Sequence, residues 1–320
     1  MENIMERFKA SETRALARVI SLLENQDPSH ENILKELFYL TGQAYVLGFT
    51  GSPGAGKSSL VDQVVKTLRS AGQTVGIIAV DPSSPFTGGA LLGDRIRMQD
   101  HALDKGVFIR SMSTRGSLGG LAKATKEVVK AIDAFGFDWV IIETVGVGQA
   151  ELDIMHVADT TVVVLTPGAG DAIQTIKAGI MEIADIFAVN KCDLPGADKV
   201  VAEVQIMLDQ QSSHEGWRPL VVPVSCLNGQ GVNNLVGDIQ KHRAYLLDHN
   251  ILHSNRNERM RAETLDITIH KWQQQIFTQL KLPGRVNELL DRVTAREMDP
   301  YSAANKILEH LKSEKQGNNC

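Results

Sequence analysis

Seven short apolar runs punctuate the chain from residue 45 onward: Tyr45–Thr50, Thr74–Val80, Val107–Arg110, Trp139–Ile142, Thr161–Leu165, Ile186–Val189 and Leu220–Val224. They are rich in β-branched residues and lack the alternating polar positions of a half-exposed strand. Between them, apolar residues recur at helical spacing, as in Leu60, Val61, Val64, Val65 and Leu68. Continuous apolar strands alternating with helices predict an α/β fold, a mainly parallel sheet covered by helices on both faces.

The pattern changes at both ends. Residues from about 8 to 40 predict two helices, with Leu16, Val19, Ile20 and Leu23 on one face and Ile33, Leu34, Leu37 and Phe38 on the next. Ser11, Glu12 and Thr13 offer capping chemistry to the first, and Asp27-Pro28-Ser29 interrupts between the two. The expectation is a helical hairpin over residues 1–43, packed on a main domain of 44–250. Beyond about residue 231 helices dominate: 233–247, 258–280, 286–293 and 303–311. In the long one Met260, Leu265, Ile269, Trp272 and Ile276 form an apolar stripe, which fits either a helical cap or a dimer surface. Residues 251–320 are expected to form this helical arm.

Composition narrows the picture only a little. The chain has 320 residues, 43% hydrophobic and 22% charged, which are the proportions of an ordinary globular protein. A net charge of −5 argues against nucleic acid or an anionic membrane as a partner. No apolar run reaches the roughly 18–20 residues that span a bilayer, and the N-terminus has no signal-peptide character. Cys192, Cys226 and Cys320 show no CxxC spacing, so the expected setting is the reducing cytoplasm without a disulfide framework or structural zinc.

Ligands of a parallel sheet sit at the carboxyl ends of its strands, so the residues after each run are where chemistry is sought. After the first run comes Gly51-Ser52-Pro53-Gly54-Ala55-Gly56-Lys57-Ser58, then Ser59 at the head of a helix. This is GxxxxGK followed by Ser or Thr, with a strand before it and a helix after it. Glycines let successive N–H groups turn inward on phosphate oxygens, and the helix N-terminus adds its positive end. Lys57 supplies a point charge for the terminal phosphates, and the Ser58 hydroxyl is placed for Mg²⁺. The expected ligand is a nucleoside triphosphate.

The second run ends at Asp81, and a long Gly/Pro-rich stretch leads to Asp94 and Arg97. Asp81 and Asp94 each qualify as a Mg²⁺ partner; the plainer readings are a turn residue before proline and a solvated helix face. The fourth run leads into Glu143-Thr144-Val145-Gly146, the place of a DxxG switch. There the acid serves the metal and the glycine N–H senses the γ-phosphate. Val147 stands where a Ras-like switch has its water-orienting glutamine, so turnover is expected to depend on a group from elsewhere. Lys177, after the fifth run, reads by spacing alone as a surface lysine.

The sixth run ends in Asn190-Lys191-Cys192-Asp193, an NKxD motif. A carboxylate can accept from both N1–H and the exocyclic amine of guanine, a donor pair that adenine lacks. Asn190 is suited to ordering neighbouring loops, and the Lys191 stem to covering the ring. Ser225-Cys226-Leu227 closes the seventh run, where a backbone N–H can meet guanine O6. The base expected is guanine.

Together GSPGAGKSS, VDPSSPFTGGALLGDRIRM, ETVGVGQ, NKCD and the Ser-Cys turn resemble the ArgK/MeaB group of P-loop GTPases, over nearly the whole chain. The resemblance implies a homodimeric GTPase using GTP, GDP and Mg²⁺, which chaperones adenosylcobalamin-dependent methylmalonyl-CoA mutase. It implies that Lys57 and Ser58 serve phosphate and metal, with Asp81, Asp94 and Glu143 around the ion. It also implies that Lys177 lies in a switch segment that approaches the nucleotide, and that Asp193 selects guanine. Members of the group have also been labelled arginine/ornithine transport kinases. No acceptor pocket or catalytic base for such a transfer can be named in this sequence, and no Cys/His cluster supports a metal-insertion role.

Overall fold

The computed structural model describes residues 2–81, 101, 103–113, 120–144, 154–168, 180–210, 216–280 and 285–317. The chain divides into two compact units, Met1–Leu252 and His253–Cys320.

The first unit is built on a sheet of seven strands, each in the place its apolar run predicts. They are β1 (Tyr45–Thr50), β2 (Val75–Asp81), β3 (Val107–Ser113), β4 (Trp139–Thr144), β5 (Thr160–Leu165), β6 (Ile186–Val189) and β7 (Leu220–Pro223). Their order is β3-β2-β4-β1-β5-β6-β7, and every pair is parallel. Successive side chains enter opposite cores. Val162 and Val164 join one cluster with Tyr45, Leu47, Phe49 and Leu60, while Val163 and Leu165 join the other with Leu16, Ile132 and Phe187. Burial on both faces explains why these strands are apolar throughout rather than alternating.

Helices α4 (Lys57–Ser70) and α7 (Val232–Asp248) supply one core. The opposite core takes α5 (Gly120–Phe135) and α6 (Ala197–Gln210). The N-terminal helices also belong to it. There are three of them, α1 (Glu2–Lys9), α2 (Thr13–Glu24) and α3 (His30–Phe38), not the two expected. The extra helix buries Met5 and Phe8, and Phe8 meets Phe135 edge-on at 5.2 Å. Capping also departs from expectation. The residue before α2 is Glu12, which makes no side-chain cap bond and instead pairs with Arg7 of α1. Asp133 of α5 accepts from the N–H groups of Gly42, Gln43 and Ala44, fastening the chain just before β1.

At the end of the sheet away from the strand tips, the Tyr45 hydroxyl contacts Thr160 Oγ1 at 2.5 Å, and Thr160 contacts His242 Nδ1 at 2.8 Å. Burial pushes the His242 pKa down from 6.5 to about 4.

The second unit holds most of α8 (Ile251–Leu280), with α9 (Arg285–Thr294) and α10 (Pro300–Gly317). The long helix begins earlier than its apolar stripe suggested, because the polar residues 253–259 continue it without a breaker. Helices α9 and α10 pack on each other, and Val286, Leu289 and Ala303 are buried. On α8, Met260, Leu265, Ile269 and Trp272 are exposed; the side chain of Ile276 lies outside the described residues. Among the described residues no helix is long and apolar enough to cross a membrane.

Candidate functional site

The sheet order sets the carboxyl ends of β4, β1, β5, β6 and β7 side by side, so motifs far apart in sequence become neighbours. β1 delivers the glycine loop. Gly51 has φ +134°, and a Cβ there would stand 2.2 Å from the Val164 carbonyl oxygen of β5. Gly56 has φ +89°, and its Cβ would stand 2.3 Å from Asn190 Nδ2. Both positions exclude side chains on conformation and on space.

Gly56 is the N-cap of α4 and offers no side-chain cap, and no acidic residue occupies the first turn. The helix therefore presents its first N–H groups for an external anion. Lys57, buried, folds back and donates from Nζ to the carbonyls of Gly51 at 2.5 Å and Ser52 at 3.0 Å. Those bonds pin the ammonium over the loop, where a phosphate would sit. Pro53, Gly54 and Ser59 are exposed around it.

β4 delivers Glu143, only 1% exposed, whose Oε1 accepts from Ser58 Oγ at 2.5 Å. The pair offers hard oxygen donors beside the phosphate loop, a set that suits Mg²⁺; this ion commonly takes one or two protein oxygens, with phosphates and water completing its shell. Among the described residues no cluster of three or more His, Cys, Asp or Glu could hold a metal by itself. The side chain of Asp81 and the whole of Asp94, Gly146, Val147 and Lys177 lie outside the described residues.

β6 and β7 deliver the remaining motifs. Asn190, 2% exposed, donates from Nδ2 to the Ala55 carbonyl at 2.7 Å. Its Oδ1 accepts from the Cys226 N–H at 3.3 Å and from the Cys226 thiol at 3.1 Å. Lys191 adopts a left-handed backbone, φ +60°, and its Nζ donates to the Gly54 carbonyl at 3.1 Å, carrying its stem over the loop. Asp193 Oδ1 accepts from Ser225 Oγ at 2.5 Å. The Cys192 N–H donates to the Val224 carbonyl at 3.0 Å, tying the two loops together. Burial pushes the Cys226 thiol pKa up to about 11, so the sulfur stays protonated. Leu227 is exposed.

The structure thus brings together Gly51, Ser52, Ala55, Gly56, Lys57, Ser58, Glu143, Asn190, Lys191, Asp193, Ser225 and Cys226. Sequence reasoning placed Ser225 and Cys226 for their backbone alone. Their side chains grip Asp193 and Asn190 respectively, and no pattern in the sequence signals contacts made across 32 and 36 residues.

A glycine loop feeding an uncapped helix, beside a carboxylate on the adjacent strand and an NKxD loop further along, defines a P-loop nucleotide-binding protein of the GTPase class. The family model of the methylmalonyl Co-A mutase-associated GTPase MeaB matches residues 16–281, and the chain belongs to that family. A relative from Pyrococcus abyssi is 48% identical over 97% of both chains. The GTPase ArgK of Escherichia coli is 35% identical over 72% of each chain. The methylmalonic aciduria type A homolog of Mus musculus, mitochondrial, is 30% identical over 93% of this chain and 71% of that one. The crystal structure of a LAO/AO transport system kinase shares the fold, with a TM-score of 0.71 and 24% identity over 97% of both chains. The protein is a GTPase and binds guanine nucleotide.

Proposed function

We propose that this GTPase is a nucleotide-dependent chaperone of adenosylcobalamin-dependent methylmalonyl-CoA mutase, gating cofactor loading and protecting the loaded enzyme. The observation that carries this reading is the match to the mutase-associated family over residues 16–281, which spans the glycine loop, the NKCD loop and all of α8. The mouse methylmalonic aciduria homolog points the same way.

In this reading the α4 N-terminus and Lys57 bind the phosphates, and Asp193 selects guanine. Ser58 and Glu143, joined by Asp81 and Asp94, hold Mg²⁺, which would neutralise phosphate charge when bound. Gly146 and Lys177 belong to segments that respond to the γ-phosphate. With Val147 after Gly146, no side chain there can orient the attacking water, so hydrolysis is slow until a partner completes the site. The exposed stripe on α8 supports a homodimer, since a row of large apolar side chains on one helix face is costly to leave in water. The setting is cytoplasmic.

The test is co-purification with the mutase of the same genome, with the GTPase loaded either with GDP or with a non-hydrolysable GTP analogue. A complex whose affinity for mutase or cofactor changes with the nucleotide is the expected result. Absence of any complex in both states would overturn the assignment, as would transfer of the γ-phosphate to arginine or ornithine.

A further inference from the structure

Asn190 joins three loops through one buried amide, and the chemistry of its neighbours fixes which way that amide points. The Ala55 carbonyl can only accept, so the atom 2.7 Å from it is the NH₂ group. The backbone N–H of Cys226 can only donate, so the atom facing it is Oδ1. Oδ1 therefore has two donors from a single residue, the N–H at 3.3 Å and the thiol at 3.1 Å.

On the proposed guanine reading, O6 takes the Cys226 N–H, and that N–H cannot serve O6 and Asn190 equally well. A residue with no side-chain donor would then leave the oxygen of an amide that is 2% exposed without a hydrogen bond, a costly state for a buried carbonyl.

We propose that the Cys226 thiol is a positioning residue for guanine recognition: its S–H keeps Asn190 Oδ1 bonded while the Cys226 N–H turns to the base. Asn190 then never has to move, and its grip on Ala55 holds the phosphate loop in place during nucleotide exchange. The thiol suits this role because burial keeps it protonated, and a thiolate could not donate. The sulfur touches neither base nor phosphate and acts only through Asn190. The inference rests on the placement of the guanine ring against Asp193 and the Ser225–Leu227 loop.

The experiment compares GDP with 6-thioguanosine diphosphate, whose sulfur is a poor acceptor and does not draw the N–H from Asn190. Dissociation constants are measured for the wild type, Cys226→Ala, Cys226→Val and Cys226→Ser, with thermal unfolding of each without nucleotide. Loss of the thiol donor in the Ala and Val variants is expected to weaken GDP about five- to tenfold, the scale of one modest buried hydrogen bond. The same variants should bind 6-thio-GDP within about twofold of the wild type, and Cys226→Ser should restore GDP affinity because a hydroxyl also donates. If Ala packs poorly, Val keeps the bulk of the side chain and tests the same donor. GDP affinity unchanged in Ala and Val, or Ser as weak as Ala, overturns the proposal. Wild-type protein that binds the two nucleotides equally overturns instead the base placement beneath it.

Discussion

Ser58 and Glu143 stand 85 residues apart in sequence, yet their oxygens meet at 2.5 Å where helix α4 begins and strand β4 ends. Both are buried, and the parallel pairing of β1 with β4 holds the register that brings them together. Glu143→Gln keeps the shape and removes the charge. GTP hydrolysis dependent on Mg²⁺ is expected to fall roughly 10–100-fold, the usual cost of losing a group that organises a metal. Binding of GDP in the presence of EDTA should change little, and calorimetric titration with and without Mg²⁺ separates the two effects.

Asp193 Oδ1 accepts from the Ser225 hydroxyl, and the proposed function gives this carboxylate the choice of base. Asp193→Asn exchanges a double acceptor for an acceptor and a donor. Affinity for GTP should fall roughly 10–100-fold, while xanthosine triphosphate, with a carbonyl in place of the exocyclic amine, is spared or improved. Competition binding with the two nucleotides measures the ratio directly.

The glycine loop contains an internal control. Gly51→Ala forces a Cβ to within 2.2 Å of the Val164 carbonyl at φ +134°, whereas Gly54 at φ +74° has nothing within 4 Å of its Cβ position. Gly51→Ala should cost about 2 kcal/mol or more, a fall in melting temperature of about 4–8 °C for a unit of this size. Gly54→Ala should fall by less, since only the left-handed backbone opposes it. Thermal unfolding of the two variants side by side gives the comparison.

His242 should make the protein sensitive to acid. Thr160 meets its Nδ1, and Asp185 lies 3.5 Å from its Nε2, with the Trp217 ring tilted against it at 4.6 Å. Burial is the main cause of its lowered pKa, and Asp159 partly opposes the shift. The folded protein therefore binds fewer protons at this site than the unfolded chain below pH 6.5, and stability rises with pH between about 4 and 6.5. The full difference is about 3 kcal/mol, lost progressively as pH falls through that window. Denaturant unfolding as a function of pH should show the slope, and His242→Gln should flatten it.

The exposed stripe on α8 makes the dimer testable. Ile269→Glu or Trp272→Asp places a charge on the helix face that carries Leu265, Ile269 and Trp272. Sedimentation velocity should show the wild type at twice the mass of the variants, with helix content unchanged by circular dichroism. A wild-type chain that sediments as a monomer at micromolar concentration would remove the dimer from the proposed function.

Sequence alone determined what depends on neighbours along the chain. Strand type follows from continuous apolar runs, the phosphate loop from glycines set between a strand and a helix, and the expectation of guanine from the NKCD motif at 190–193. Each is decided within a few residues by backbone conformation, burial or donor–acceptor chemistry. The first helix escaped because Glu2–Lys9 has few apolar residues and gains its burial from packing on α2 and on Phe135 of α5. The tertiary structure decided which strand tips stand side by side. Seven similar apolar strands can be paired in many orders, and the pattern that makes them strands does not say which neighbours which. Only the packed sheet seats Asn190 against Ala55, Ser225 against Asp193 and Glu143 against Ser58, because these contacts cross between strands and depend on register rather than on local sequence.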